Sequence, residues 1–412
     1  MRPDLELITT GAELLNGSTL NRHARWLGSA LGAMGWSLQR DTTVPDEAGA
    51  ISDALRSALN RSDVVIITGG LGPTCDDLTR DVAAAWAGTG IEMHEPSRLR
   101  VVEAYQRRKK PLNSMVERHA LVVKGARVLD NNYGLAPGEY LEKGGKHVFL
   151  LPGPPREFQG AMKDHVLPWI KSLGIGAGER RSVFQIAGLG ESDIAATLEN
   201  GGLGAMKVDV AYCAAPSRVT IRLHERAGEA NAFDRAVALV RSELASSIYA
   251  ETEATIEEMI VATLAAMKKT LAVAESCTGG MLGEKMTELP GVSSVFNGGV
   301  IAYHNAVKEH VLGVDGALLT TKGAVSREVA EAMAAGVRKV CRADYGLSIT
   351  GIAGPDGGTP AKPVGLVFIG WSDGKTTGSH ECRLGGGRET IREAAVFIAL
   401  DLLRRQLELS KG

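Results

Sequence analysis

Residues 63 to 79 read Asp63-Val-Val-Ile-Ile-Thr68-Gly-Gly-Leu-Gly72-Pro-Thr-Cys-Asp76-Asp77-Leu-Thr79. The run Val64 to Ile67 is apolar without alternation, the pattern of a parallel strand buried on both faces. A Gly-rich loop comes next, and helical spacing resumes from Val82 to Trp86. Strand, glycine loop, helix is the unit of a doubly wound α/β domain, in which ligands sit at the carboxyl ends of the strands. Glycines at 69, 70 and 72 let backbone N–H groups approach an anion at a helix N-terminus. Asp76 and Asp77 can supply carboxylates for a divalent metal, or one of them can cap the helix.

The flanking sequence repeats the unit. Leu5 to Thr10 is a short apolar strand that runs into Gly11 and Glu13. Asn21 can cap a helix whose inward face carries Trp26, Leu27, Ala30, Leu31 and Met34, with Gly35 as its stop. Residues 38–46 read as strand plus loop, ending in Val44-Pro-Asp46, and 51–59 as an amphipathic helix. Rigid proline loops, Leu135-Ala-Pro-Gly138 and Leu150-Leu-Pro-Gly-Pro-Pro155, close this domain, placed at 1–172. Arg156 and Glu157 then open a helix or reach a ligand.

Residues 173–253 differ in character. Gly174, Gly176 and Gly178 mark a linker. Strands at 182–187, 208–212 and 219–223 mix with helices at 193–198 and 232–248, giving a small α+β module. Its loop Gly188-Leu-Gly-Glu-Ser192 lacks the spacing and the basic neighbours of a nucleic-acid-clamping GXXG loop.

Residues 254–412 form a second α/β domain. Thr255-Ile-Glu-Glu258 is a capping box. The strand 270–274 enters Glu275-Ser276-Cys-Thr278-Gly279-Gly280, again strand, glycine loop, helix. A further strand, 345–350, ends in Thr350-Gly351-Ile-Ala-Gly-Pro-Asp-Gly-Gly358. Between them lies Gly291-Val-Ser293-Ser294, a short strand, and Tyr303-His304-Asn305-Ala-Val-Lys308. A hydroxyl, a phenol and an amine beside glycine-rich backbone supply the groups that amide hydrolysis needs: nucleophile, base and oxyanion donor. Cys277, at a helix N-terminus, is either a reactive thiolate or a small packing residue.

The 412 residues exceed one ordinary core, and 44% hydrophobic with 23% charged residues is ordinary for a globular chain. A net charge of −2 gives no basic field for nucleic acid or a membrane surface. Arg107, Arg108, Lys109 and Lys110 are a short solvated run. The five cysteines have no CxxC spacing, which argues against zinc and disulfides. With no apolar signal core and no run of eighteen apolar residues, the expected location is the cytoplasm.

Thr9-Thr-Gly-Ala-Glu-Leu-Leu-Asn-Gly17, Val44-Pro-Asp-Glu47, the 68–77 loop and Leu151-Pro-Gly-Pro-Pro-Arg-Glu-Phe158 resemble the molybdopterin-binding, MoaB/MogA-like fold. More closely they resemble the N-terminal domain of the CinA (competence/damage-inducible) family. The 275–280 loop, 291–308, Gly323-Ala-Val-Ser326 and 350–365 resemble that family's C-terminal domain, and the α+β module its KH-like middle domain, read as a spacer or dimerisation element. The resemblance implies two α/β three-layer domains joined by the KH-like module. It also implies two activities. One is a C-terminal amidase that deamidates nicotinamide mononucleotide without a cofactor. Ser293, Tyr303 and Lys308 are its catalytic residues, with Ser276, Thr278, Gly279, Asn305, Thr350, Gly351 and Arg388 binding substrate. The loops at Thr278 and Thr350 are the expected seats of phosphate and ribose. The other is an N-terminal, metal-dependent pyrophosphatase for ADP-ribose-like nucleotides, with Gly11, Glu13, Asp46, Gly69, Gly70, Gly72, Asp76 and Asp77 at its site and a divalent metal on Asp46 and Asp77. A homodimer is expected by resemblance; membrane and nucleic-acid partners are not. Alternatively the N-terminal half binds a pterin or nucleotide without turnover, or the protein assists DNA uptake or repair.

Overall fold

The computed structural model describes residues 3–34, 36–174, 180–226 and 228–410. Gly35, expected to stop a helix, and Gly176 and Gly178, expected in a linker, lie outside these residues. The chain divides into two compact units, one up to residue 179 and one from residue 180.

The first unit is built on a sheet of six strands, β2-β1-β3-β8-β7-β6. Its members are β1 (Leu5–Thr10), β2 (Arg40–Val44), β3 (Val64–Thr68), β6 (Arg127–Leu129), β7 (Gly138–Lys143) and β8 (Lys146–Leu151); β4 (Ile91–Met93) and β5 (Leu121–Val123) pair separately. β2, β1, β3 and β8 run parallel, while β7 and β6 return antiparallel. The unalternating run of β3 has its predicted cause. Val65 and Ile67 pack with Ile51 and Leu55 of the helix Ala48–Arg61 on one face. Val64 and Ile66 pack with Leu27 and Leu31 of the helix His23–Ala33 on the other. Helix, sheet and helix thus form three layers. Asn21 does not stand at the N-cap position of the His23–Ala33 helix; its Oδ1 instead accepts the His23 N–H two residues on.

An ion pair is enclosed beside this sheet. Arg80 (4% exposed) donates to Glu139 (0%) at 3.1 Å and to the Leu71 carbonyl, and Glu139 also accepts the Val123 N–H. The pair ties the glycine loop after β3 to β7. Glu139→Ala would leave a buried guanidinium without its counter-charge, which costs about 3–5 kcal/mol. The expected result in a thermal scan is a lowered transition for the N-terminal unit only.

The second unit contains two sheets. An antiparallel one, β10-β11-β9-β12, comprises β9 (Arg181–Ala187), β10 (Val208–Ala215), β11 (Arg218–Glu225) and β12 (Ile248–Ala250). The helices Glu191–Asn200 and Ala230–Glu243 cover it. The helix expected over 232–248 stops at Glu243 because Ile248 is drawn into β12 against β9. This module shares a core with the C-terminal helix of the unit: Ala187 and Tyr249 pack with Phe397 and Leu400, and Arg218 lies over the Phe397 ring.

The other sheet has the order β14-β13-β15-β16-β17. It comprises β13 (Leu271–Glu275), β14 (Phe296–Ile301), β15 (Tyr345–Gly351), β16 (Leu366–Ser372) and β17 (Thr377–Arg383). β14, β13 and β15 are parallel. The expected caps form. Thr255 and Glu258 make the capping box of the helix Ile256–Met267, and Ser326 accepts the Val329 N–H at the start of Arg327–Val340. Among the described residues no helix is long and apolar enough to cross a membrane.

Candidate active sites

The carboxyl ends of β1, β2, β3 and β8 open onto a cavity of about 670 Å³. It is lined by all of the expected residues of this domain: Gly11, Glu13, Asp46, Gly69, Gly70, Gly72, Asp76 and Asp77. Gly69 has φ 100°, and a Cβ there would stand 2.5 Å from Thr10 Oγ1, so the loop needs glycine at that position.

The two acids singled out for metal are used differently. Asp77 Oδ1 accepts the Gly72 N–H at 2.7 Å, and Oδ2 accepts the Thr74 N–H at 2.7 Å and the Thr74 hydroxyl at 2.5 Å. Asp77 therefore braces the glycine loop. It does not cap the helix Thr79–Ala87, where no side-chain cap is made. Asp46 Oδ2 accepts the Ala12 N–H at 2.8 Å, and Asp46 lines the cavity. Among the described residues no three of His, Cys, Asp and Glu come together as a ready metal centre. The donor set suits an ion of the magnesium type, which takes one or two carboxylates and completes its shell with water and substrate phosphate. Asp46 and Glu13 both line the cavity with carboxylates that could serve there.

Other lining residues gave no signal in the sequence. His23, held by the Gly153 carbonyl at 2.8 Å, has its pKa lowered by burial. The Thr9 and Thr10 hydroxyls and His119 Nδ1 are buried without a partner. Polar atoms left bare beside a cavity are groups a ligand would satisfy.

In the second unit the ends of β13, β14 and β15 converge. Lys308, on the helix Asn305–His310, is 1% exposed. Its Nζ lies 2.6 Å from the Ala302 carbonyl, 3.2 Å from the Tyr303 carbonyl and 3.3 Å from Ser276 Oγ. Among the described residues it has no carboxylate partner, and burial lowers its pKa below the ordinary lysine value.

Ser293 is not part of this cluster. The helix Met281–Thr287 carries the chain from the end of β13 back to the start of β14, so Ser293 is exposed on a single turn, Val292–Ser294, before β14 begins. Lys308 lies beyond the end of that strand. β14 spans five steps in parallel register with β13, about 16 Å of strand between the two ends. Within this chain Ser293 and Lys308, expected to act together, flank β14, one before its start and the other beyond its end. Ser276, which follows β13, is the serine that meets the lysine. Ser294 also stands before β14, bonded to the Gly291 carbonyl.

Tyr303 is 61% exposed, with its hydroxyl 3.4 Å from Arg388 Nη2. Arg388 also donates to the Gly354 carbonyl at 2.7 Å, and Arg392 to the Thr278 carbonyl at 2.8 Å. The helix Arg388–Leu409 thereby reaches both glycine loops. His304 caps the helix of Lys308 by accepting the Ala306 N–H. Asn305 begins that helix and is exposed. Gly351 ends β15 against Leu366 and Val367, where a Cβ would not fit. The Thr350 hydroxyl donates to the Ala324 carbonyl at 2.8 Å. Gly279 takes φ 61° in the turn after Ser276. Cys277 is buried and its thiol is pushed up to about 11, chiefly by desolvation, so it is no thiolate at neutral pH.

In this α/β domain a buried lysine amine therefore stands beside a serine hydroxyl at the ends of parallel strands. A doubly wound α/β domain precedes it in the chain. Family models agree at both ends: residues 6–172 match a probable molybdopterin binding domain and residues 253–407 the CinA C-terminal domain. The chain belongs to the CinA family. It is 39% identical over 410 residues to a CinA-like protein of Dictyoglomus thermophilum, covering 98% of each chain. To a putative competence-damage inducible protein of Moorella thermoacetica it is 41% identical over 411 residues, again covering 98% of each. A crystal structure of the competence/damage inducible protein CihA from Agrobacterium tumefaciens is 40% identical, with a TM-score of 0.36, covering 37% of this chain and 93% of that one.

Proposed function

We propose that the C-terminal domain hydrolyses the carboxamide of nicotinamide mononucleotide, giving nicotinate mononucleotide and ammonia. The observation that carries this reading is Lys308, buried 3.3 Å from Ser276 Oγ and without a carboxylate partner among the described residues. A neutral amine has two N–H groups and one lone pair. The Ala302 and Tyr303 carbonyls accept the two N–H bonds, and the lone pair is left for the Ser276 hydroxyl proton. Lys308 takes that proton as Ser276 Oγ bonds to the amide carbon. The exposed Tyr303 hydroxyl, beside the Arg388 cation, donates to the developing oxyanion. Collapse expels ammonia, which receives the proton from Lys308, and leaves an ester on Ser276. Water, deprotonated by Lys308, then releases the acid and restores the serine.

For this base to act it must be neutral. The expected kcat/KM for the amide rises with pH through an apparent pKa below the ordinary lysine value of 10.5. A profile still climbing at and beyond that value would exclude Lys308 as the base.

The N-terminal cavity is read as a nucleotide site that cleaves the diphosphate of an ADP-ribose-like substrate. Asp46 and Glu13 would hold a divalent ion, which supplies charge to the leaving phosphate oxygen. The glycine loop 69–72 offers backbone N–H groups, and the bare Thr9 and Thr10 hydroxyls offer further contacts. Asp46→Ala or EDTA should lower AMP release from ADP-ribose at least a hundredfold and leave ammonia release unchanged. A second reading, ligand binding without turnover, is favoured by the engagement of Asp77 in its own loop. Titration of the intact protein with ADP-ribose, showing binding but no products with magnesium or manganese present, would establish it.

A further inference from the structure

The two sides of the N-terminal cavity differ in chemistry. In the sheet order β2-β1-β3-β8-β7, Asp46 follows β2, Glu13 follows β1 and the glycine loop 69–72 follows β3. The loop joining β6 to β7 lies at the same end of the sheet, because β7 starts beside the end of β8. It lines the cavity with Tyr133, Gly134, Leu135 and Ala136. At the usual spacing of strands, about 19 Å of sheet separates β2 from β7, and about 10 Å separates β3 from β7. Carboxylates therefore stand on one side, backbone N–H groups in the middle, and a loop carrying an aromatic ring on the other side.

That ring has a prepared seat. A Cβ on Gly160 would stand 2.1 Å from Tyr133 Cδ2 and 2.2 Å from Cε2, so the tyrosine lies against the bare backbone of the helix Pro155–Ala161. The loop that presents it is pinned to the same helix. Asn131 is buried; its Oδ1 accepts the Tyr133 N–H at 3.0 Å, and its Nδ2 donates to the Ala136 carbonyl at 2.8 Å and to Glu157 Oε2 at 2.7 Å. Glu157 in turn packs on Gly134, where a Cβ would be 1.9 Å from Oε2. A group fixed in this way loses little freedom when a ligand arrives. Tyr133 is nonetheless 39% exposed, so the ring is covered by the helix on one part and open to the cavity on another. An aromatic surface held open beside a ligand cavity is a stacking platform for a flat heterocycle.

We infer that the base of a nucleotide stacks on Tyr133, with its diphosphate on the glycine loop 69–72 and directed towards Asp46. This rests on reading the cavity as a nucleotide site, and it adds the residue that makes the site select a nucleotide over a bare sugar phosphate. The two strand spacings between β3 and β7 leave room for the ribose that joins a diphosphate to its base.

The test uses calorimetric titration of the full-length wild type, Tyr133→Ala and Tyr133→Phe with AMP and with ribose 5-phosphate, magnesium being present throughout. The two probes differ in carrying adenine or a hydroxyl on the same sugar phosphate. Removing the aromatic partner of a stacked base weakens binding roughly 5- to 150-fold. The expected result is that Tyr133→Ala weakens AMP by about that factor and ribose 5-phosphate by less than about twofold, and that Tyr133→Phe, which keeps the ring, retains most of the AMP affinity. With ADP-ribose as substrate the loss falls on KM. Unchanged AMP binding in Tyr133→Ala, equal losses on both probes, or a Tyr133→Phe as weak as Tyr133→Ala would overturn the inference. If AMP affinity depends on the ring but ADP-ribose is not cleaved, the pyrophosphatase reading fails and the platform stands. A wild type that binds AMP no more tightly than ribose 5-phosphate refutes the platform, whatever ADP-ribose cleavage shows.

Discussion

Lys308→Met is expected to reduce ammonia release from nicotinamide mononucleotide by about a thousandfold, the scale of losing a general base from a nucleophile. The loss should appear in kcat, because the amine acts on the serine proton and not on substrate affinity. Methionine fills much of the same apolar path without burying an amine. The variant should therefore fold, and circular dichroism would verify that.

The same residue links stability to pH, with a definite sign. Lys308 binds its proton less tightly when folded than when unfolded, since burial lowers its folded pKa. Between the two values the unfolded chain carries more protons, so stability rises with pH. The wild type should gain stability relative to Lys308→Met as pH climbs from the depressed folded value towards 10.5, with the full contribution present above it and lost as pH falls through the folded value. Thermal scans of both proteins across that window measure it; a flat difference would mean that the lysine is not held neutral by its surroundings.

Much of the architecture was legible because local chemistry and tertiary packing agree. Val64 to Ile67 is apolar on both sides, and the two faces of β3 meet separate helices. The Thr255–Glu258 capping box could be read from four residues and forms as read. The residues expected at the N-terminal site line one cavity because loops at the carboxyl ends of parallel strands share one end of the sheet. The same rule separates the two serines. Ser276 follows a strand and Ser293 precedes one, so a strand–helix–strand unit sends them to opposite ends although seventeen positions separate them. Motif spacing carries no chain direction, and direction decides which end of the sheet a loop reaches.

Other features had no local signature. A lysine on a helix ordinarily reads as surface, and the burial of Lys308 depends on carbonyls and a loop brought in by β13 and β14. Asp77 looked like a ligand because its partners, the N–H groups of Gly72 and Thr74, are loop geometry that composition does not encode. Glu275 looked like part of a phosphate loop, and its carboxylate instead accepts the N–H groups of Gly280, Leu282 and Gly283 that follow it.

Ser276→Ala and Ser293→Ala, assayed side by side, test the central claim most directly. In the proposed mechanism Ser276 supplies the attacking oxygen, and alanine there removes the only hydroxyl that Lys308 Nζ meets among the described residues. Loss of a serine nucleophile costs about 10³- to 10⁶-fold in kcat, with oriented binding leaving some residual activity. Ser293, exposed about 16 Å of strand away, is outside the reach of that amine. The measurement is ammonia release from nicotinamide mononucleotide by the wild type and both full-length variants. The account predicts that Ser276→Ala falls by at least a thousandfold while Ser293→Ala stays within about threefold of wild type. Wild-type turnover by Ser276→Ala, or collapse of Ser293→Ala alone, would contradict it.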